Sequence, residues 1–270
     1  MVMAYPGESF MSLVRTEIAD SIGTLFLDHY AKRNALSRQL VEDVHAAVDL
    51  FRKERVRAVV LRSATNEKVW SAGHDVDELP KAGIDPLPYG DPLERLLRAI
   101  KTYPAPVIAM VHGSVWGGAC ELVIACDIVL ADETVSFAIT PAKLGVPYNA
   151  AGFLNFISRL PLTVVKEMFF TAEPISAERA ERVGIVNMLV PSAELEARTY
   201  AMARTIAKRS PAAISAYKEA IRVLSEAVAI NPDTYEYLHS LRREVYFGPD
   251  YREGIAAFRE RREPQFLGKD

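Results

Sequence analysis

Two short stretches combine small residues with element starts in a way that could serve chemistry. Ser71-Ala72-Gly73-His74-Asp75 follows an apolar, strand-like piece, and Gly117-Gly118 precedes a helical pattern. Small residues let a ligand come close to main-chain N–H groups. A helix N-terminus adds unpaired donors and a dipole that favours negative charge. Two such donors on one oxygen make an oxyanion hole, each worth roughly 3–4 kcal/mol of transition-state stabilisation. Glycines in these places can equally do no more than shape turns, and the residues by themselves leave both readings open.

Other chemistries fail on spacing. Gly113-Ser114-Val115-Trp116-Gly117 carries its serine one place too early for a nucleophile elbow. Ser71, His74 and Asp75 are triad residue types, but close neighbours in the chain rarely reach relay order. No dinucleotide fingerprint or P-loop is present. The five histidines include no pair at metal-ligand spacing, so no metal site is expected. Cys120 and Cys126, six apart in a helical stretch, project roughly 240° apart around the axis and are expected to be buried free thiols.

The elements that must position these turns alternate in type. Leu13–Ile18 and Ile22–Leu27 read as a hairpin, and Ser37 caps an amphipathic helix through Leu40, Val44, Ala47, Val48 and Phe51. Val56–Leu61 and Pro106–Val111 read as strands buried on two faces. A helix around Pro92–Thr102, another at Ala119–Cys126, and short strands at Ile128–Ala131 and Val135–Ala138 complete an α/β core. From about residue 150 the pattern turns helical, with segments near 161–171, 176–183, 193–209, 211–228, 233–246 and 250–262 and one strand-like piece at Ile185–Val190. Ser210-Pro211 marks one helix start.

Composition sets the outer limits. With 270 residues, 50% hydrophobic and 25% charged, the chain has the balance of a globular protein, which excludes global disorder. A net charge of −3 supplies no field for nucleic acid or an anionic membrane. The start MVMAYPGESFMSL has no basic segment followed by an apolar one, and no apolar run approaches the roughly 18 residues of a membrane span. A cytoplasmic location is expected.

Val69-Trp70-Ser71-Ala72-Gly73-His74-Asp75, Gly113-Ser114-Val115-Trp116-Gly117-Gly118-Ala119-Cys120-Glu121 and Cys126-Asp127 together resemble the crotonase (enoyl-CoA hydratase/isomerase) superfamily. Lys32-Arg33-Asn34-Ala35-Leu36, Tyr251-Arg252-Glu253-Gly254, Ala257-Phe258 and Arg262-Glu263-Pro264-Gln265-Phe266 extend the resemblance over about residues 12–268. It implies an α/β fold, a spiral of ββα turns over residues 12–200, with a helical trimerisation region over 201–270. A homotrimer or a dimer of trimers, a homohexamer, follows by the same analogy. The main-chain N–H groups of His74 and Gly118 would hold the thioester oxygen of an acyl-CoA.

Hydratases of this superfamily use two glutamates. Glu121 matches the first, but Pro141 stands at the second, and proline is neither acid nor base. Gly73-His74-Asp75-Val76-Asp77-Glu78-Leu79-Pro80, Thr140-Pro141, Gly145-Val146-Pro147-Tyr148-Asn149, Asp85-Pro86-Leu87 and Arg242-Arg243-Glu244-Val245-Tyr246 instead resemble the branch that decarboxylates methylmalonyl-CoA to propionyl-CoA. That likeness implies a reaction with no cofactor, CoA being part of the substrate. It makes His74, Gly118 and Tyr148 catalytic, the tyrosine orienting the departing carboxylate. Ala72, Gly73, His74, Asp75, Val76, Gly118, Thr140 and Arg261 would bind substrate, with Arg261 in place of a C-terminal basic residue that meets the CoA phosphates. The rival readings are a hydratase or isomerase running on Glu121, and a non-catalytic acyl-CoA-binding or RNA-binding relative.

Overall fold

A computed structural model describes residues 12–81, 83–227 and 231–268. The N-terminal reading on residues 1–11, the last residue of the 211–228 helix, and residues 269–270 of the C-terminal region lie outside the described residues. The hairpin forms from β1 (Val14–Ala19) and β2 (Ile22–Leu27), turning through Asp20 and Ser21 at φ 51° and 63°. Two consecutive positive φ values give the mirror-image turn that matches strand twist. Ser37 then caps α1 (Arg38–Lys53), its Oγ accepting from the Leu40 N–H at 3.3 Å. The apolar face of α1 is buried from Leu40 to Phe51, as its periodicity requires.

Each later turn of the chain places one strand in a large sheet and the next in a small one. β3 (Ala58–Ser63) is followed by β4 (Val69–Ser71) and α2 (Pro92–Lys101). β5 (Val107–Val111) is followed by β6 (Ser114–Trp116) and α3 (Gly118–Ala125). β7 (Ile128–Asp132) and β8 (Ser136–Ala138) precede α4 (Ala150–Ile157) and α5 (Leu162–Thr171). β9 (Ile175–Ser176), α6 (Ala177–Val183) and β10 (Met188–Val190) end the spiral. The large sheet runs β1-β2-β3-β5-β7-β10 and the small one β4-β6-β8-β9, parallel except at β1–β2 and β8–β9. This is the ββα spiral that the resemblance implied.

Among the described residues four helices follow: α7 (Ser192–Ala207), α8 (Pro211–Ser225), α9 (Pro232–Phe247) and α10 (Pro249–Glu260). Leu195 and Ala203 of α7 pack on Val60, Ile108, Met110 and Leu130 of the large sheet. Residue 200 therefore falls inside a helix that belongs to the core. Leu79 and Val146, from two loops, meet Tyr246, Tyr251 and Ile255 of α9 and α10 in a separate apolar cluster. The Arg242 guanidinium joins it, donating to Asp85 Oδ2 at 2.6 Å and to the Leu87 carbonyl at 2.9 Å. The two distant motifs Asp85-Pro86-Leu87 and Arg242–Tyr246 thus meet in space. Helix α8 has no buried residue, and Ile221 and Leu224 on it are 67% and 77% exposed.

The sequence reading missed α4 as a separate helix and the three-residue β6 and two-residue β9. Strands that short, set among turn residues, carry no alternation to detect. The strand-like piece at Ile185–Val190 shortens to β10, because Ile185 and Val186 bond back to the Ala180 carbonyl at the end of α6.

Candidate active site

The site begins with main-chain donors. Arg33-Asn34-Ala35-Leu36 lies alongside Ala72–Asp75: the Leu36 N–H donates to the Gly73 carbonyl at 2.7 Å, and the Asp75 N–H donates to the Leu36 carbonyl at 3.4 Å. This parallel bridge turns the intervening His74 N–H the other way. Gly73 stands at φ 81°, and a Cβ there would lie 2.3 Å from the Trp116 carbonyl oxygen, so only glycine fits. On the facing side, Gly117 at φ 51° and ψ −121° swings the chain into α3, leaving Gly118 as its first residue. A Cβ built on Gly118 would lie 3.6 Å from the His74 nitrogen. Neither the His74 nor the Gly118 N–H has a hydrogen-bond partner among the described residues. Two free donors thus flank one small gap at a helix N-terminus, the arrangement that stabilises a developing oxyanion.

Asn34 staples this loop from behind. Its side-chain amide donates to Ser63 Oγ at 3.1 Å and to the Trp70 carbonyl at 2.9 Å, and its Oδ1 accepts from the His29 N–H at 2.9 Å. The Ser71 hydroxyl donates to the Asn34 carbonyl at 2.6 Å. The His74 imidazole is held mainly neutral by burial, which lowers its pKa against the opposing pull of Asp91, Glu78 and Asp75.

Side chains make the other end. Glu121, three residues along α3, is 2% exposed. Its Oε2 accepts from the Tyr148 hydroxyl, and its Oε1 accepts from Asn155 Nδ2 at 2.8 Å. Asn155 Oδ1 in turn accepts from Lys101 Nζ at 2.8 Å, and Lys101 pairs with Glu226. Burial first, and then the nearby Glu94 carboxyl, push the Glu121 pKa up to about 7. Glu94, 4% exposed and bonded to the Asn149 amide, is raised as well, by burial. Burial and the Glu121 charge drive the Tyr148 phenol well above its ordinary range, so it remains a proton-bearing donor. Phe153, Phe156 and Phe169 surround the Tyr148 ring edge-on at 5.5, 6.2 and 4.9 Å between centroids. The tyrosine is held on three sides.

The remaining expected residues divide into two groups. Thr140 Oγ1 lies 3.4 Å from the Cβ position of Gly117, at the same mouth as the two donors. Ala72 is exposed and Val76 half-buried on the loop beside them. The Asp75 carboxylate caps the turn at Asp77 and pairs with Lys32 at 2.9 Å, while its N–H bonds the Leu36 carbonyl and its carbonyl accepts from the Glu78 N–H, so its polar groups serve to hold the loop. Arg261 is exposed at the C-terminal end of α10, at φ 55°, its N–H donating to the Phe258 carbonyl at 3.2 Å and its guanidinium without a hydrogen bond or ion pair among the described residues. Among the described residues no group of three or more His, Cys, Asp or Glu could hold a metal ion.

Sequence reasoning missed Glu94, Asn149, Asn155 and Lys101. A signal existed for Glu94: at 100° per residue it lies only about 60° around α2 from the core residue Leu97, at the edge of the apolar stripe. Nothing local marked the two asparagines.

Comparison with known proteins gives the family. The enoyl-CoA hydratase/isomerase family matches residues 17–269. The chain is 43% identical over 249 residues to methylmalonyl-CoA decarboxylase of Escherichia coli (strain K12), covering 92% of this chain and 95% of the relative. It is 33% identical over 242 residues to carnitinyl-CoA dehydratase of Shigella flexneri, covering 88% of this chain and 92% of that one. A solved structure of methylmalonyl-CoA decarboxylase in complex with 2-nitronate-propionyl-CoA superposes with a TM-score of 0.93 at 42% identity, over 95% of this chain and 99% of that chain. A second, complexed with 2S-carboxypropyl CoA, also gives 0.93 at 42% identity, over 99% and 100%. From its spiral, its paired main-chain donors and a family match that spans nearly its whole length, this chain belongs to the enoyl-CoA hydratase/isomerase family.

Proposed function

We propose that this protein decarboxylates methylmalonyl-CoA to propionyl-CoA without a cofactor. The observation that carries the reading is the pair of unpartnered N–H groups on His74 and Gly118, facing one gap, with the Tyr148 hydroxyl beside the same helix. The 43% identity to the Escherichia coli decarboxylase selects the substrate class. Loss of CO₂ breaks the bond between the carboxylate carbon and Cα, and the electron pair passes into a thioester enolate. The two donors lower that barrier, because the thioester oxygen gains negative charge where they point. The enolate then takes a proton at Cα, giving propionyl-CoA.

The breaking bond must stand perpendicular to the thioester plane for its electrons to enter the π system. Tyr148, rigid among its three phenylalanines, supplies the O–H that holds the carboxylate in that pose. Thr140 adds a polar contact at the acyl group. The Ala72–Val76 backbone takes the pantetheine chain, and Arg261 meets the CoA phosphates with a fixed positive charge. The exposed apolar residues of α8 fit a trimer contact within a homotrimer or dimer of trimers. A cytoplasmic location is part of this proposal; no helix among the described residues is long and apolar enough to cross a membrane.

The buried Glu121 favours one rival, hydration of an enoyl-CoA on a single carboxyl. Mass spectrometry separates the two, using purified protein with methylmalonyl-CoA and, separately, crotonyl-CoA in buffer with a chelator. The expected result is propionyl-CoA with little hydrated crotonyl-CoA, and loss of that product in Tyr148→Phe with acyl-CoA binding intact. Hydrated crotonyl-CoA with untouched methylmalonyl-CoA would overturn the proposal in favour of Glu121 chemistry.

A further inference from the structure

The phenol that must hold the substrate carboxylate already spends its single proton on Glu121. Tyrosine has one O–H to donate. While Glu121 is anionic, that O–H faces the glutamate, and a second carboxylate arriving at Tyr148 meets an oxygen lone pair and a buried like charge. Neutral Glu121 reverses the bond. Its own O–H then donates to the Tyr148 oxygen, and the phenolic proton is released toward the substrate.

We propose that Glu121 is a positioning residue of the decarboxylation that works in its neutral form, turning the Tyr148 hydroxyl onto the substrate carboxylate, so that carboxylate binding takes up one proton. The inference rests on the decarboxylase reading of the site. The surrounding bonds choose which oxygen carries the proton. Lys101 Nζ fixes Asn155 Oδ1, so the Asn155 amide must present Nδ2 to Glu121 Oε1. Oε1 is then an acceptor already in use, and the proton resides on Oε2, the atom that meets Tyr148. The charged and titratable groups facing Glu121 are Glu94 and Lys101 from α2, Tyr148 from the loop before α4, and Cys120 from α3 itself. Lys101 is the one cation among them, and it is tied to Asn155 and Glu226. Burial and Glu94 oppose the anion, and the resulting pKa of about 7 puts the neutral form within working range.

The test compares pH profiles of kcat/KM for methylmalonyl-CoA in wild type and Glu121→Gln, from pH 5.5 to 9. A glutamine amide accepts from Asn155 and donates to Tyr148 permanently, mimicking the neutral acid. Wild type is expected to lose kcat/KM at up to about tenfold per pH unit above about 7, chiefly through KM. Glu121→Gln is expected to run several-fold slower at pH 6 and to lack that descent. The same descent in the variant would overturn the proposal, as would a flat wild-type profile. A residue that merely supports the fold would lower the rate without changing its pH slope. Calorimetry of wild type with carboxypropyl-CoA at pH 8, in two buffers of different ionisation enthalpy, needs no variant. Uptake approaching one proton supports the positioning role, and uptake of none overturns it. Absence of propionyl-CoA from wild type would instead sink the decarboxylase reading, and the positioning role with it.

Discussion

The two ends of the site are built from different materials. The donor end is main chain: His74 and Gly118 offer N–H groups placed by a parallel bridge, a left-handed glycine and a helix start. The acid end is side chain: Glu121, Tyr148, Asn155, Lys101, Glu94 and Asn149 reach it from α2, α3, α4 and the loop before α4. Backbone donors cannot titrate and barely move, so the first end is the same at every pH. The second holds two carboxyls that burial raises, Glu121 to about 7, so its charge can change with pH. In the reaction we propose, one end supplies constant stabilisation and the other an orientation that can be switched.

Substitutions can break or sharpen this contrast. The largest effect is expected at the rigid end. Gly73→Ala puts a Cβ against the Trp116 carbonyl at a positive φ, so the loop must shift and the His74 donor leaves its place. Loss of one such donor costs about 10²–10³-fold in kcat. Steady-state kinetics on protein whose circular dichroism matches wild type will check it, and a loss under about tenfold would mean that His74 is not a donor.

The acid end should show itself in stability. The folded pKa of Glu121 lies above its unfolded value, so its contribution is complete below pH 4.5 and is lost as the pH rises through about 7. Relative to Glu121→Gln, wild type should therefore lose about 2–3 kcal/mol of unfolding free energy between pH 5 and pH 8. Urea denaturation of the two proteins at each pH measures the gap, and a constant gap would refute the raised pKa. The smallest effect returns to the donor end. Lys32 pairs with Asp75 beside it, but the lysine is half exposed. Lys32→Met should cost under about 1 kcal/mol, because the ammonium is screened by solvent and the buried Asp75 carboxylate keeps its bond from the Asp77 N–H. A greater loss in thermal melting would show that charge, and not backbone, holds the loop.

Much of the fold was legible before any coordinates, and for a local reason. The Ser37 and Ser210 caps each bond an N–H three residues ahead, and the apolar runs Ala58–Leu61 of β3 and Val107–Val111 of β5 have one environment open to them. The donor turns at Gly73 and Gly117-Gly118 were visible likewise, since φ/ψ freedom and a helix start are properties of a few adjacent residues. Three-residue β6 was not, because its pairing with β4 and β8 is the only thing that makes it a strand.

The sequence by itself determined where helices begin, which strands are buried, and where main-chain donors could face a ligand. The tertiary structure alone decided that Asp85 meets Arg242, 157 positions away, and that Lys101, Asn155, Glu121 and Tyr148 form one chain of hydrogen bonds. It also decided that Glu94 is buried beside Glu121, and that α7 belongs to the core. Caps, turns and periodicity act over a few residues and are written in local order. A side-chain network depends on which distant segments pack together, and a buried carboxyl takes its charge state from that packing.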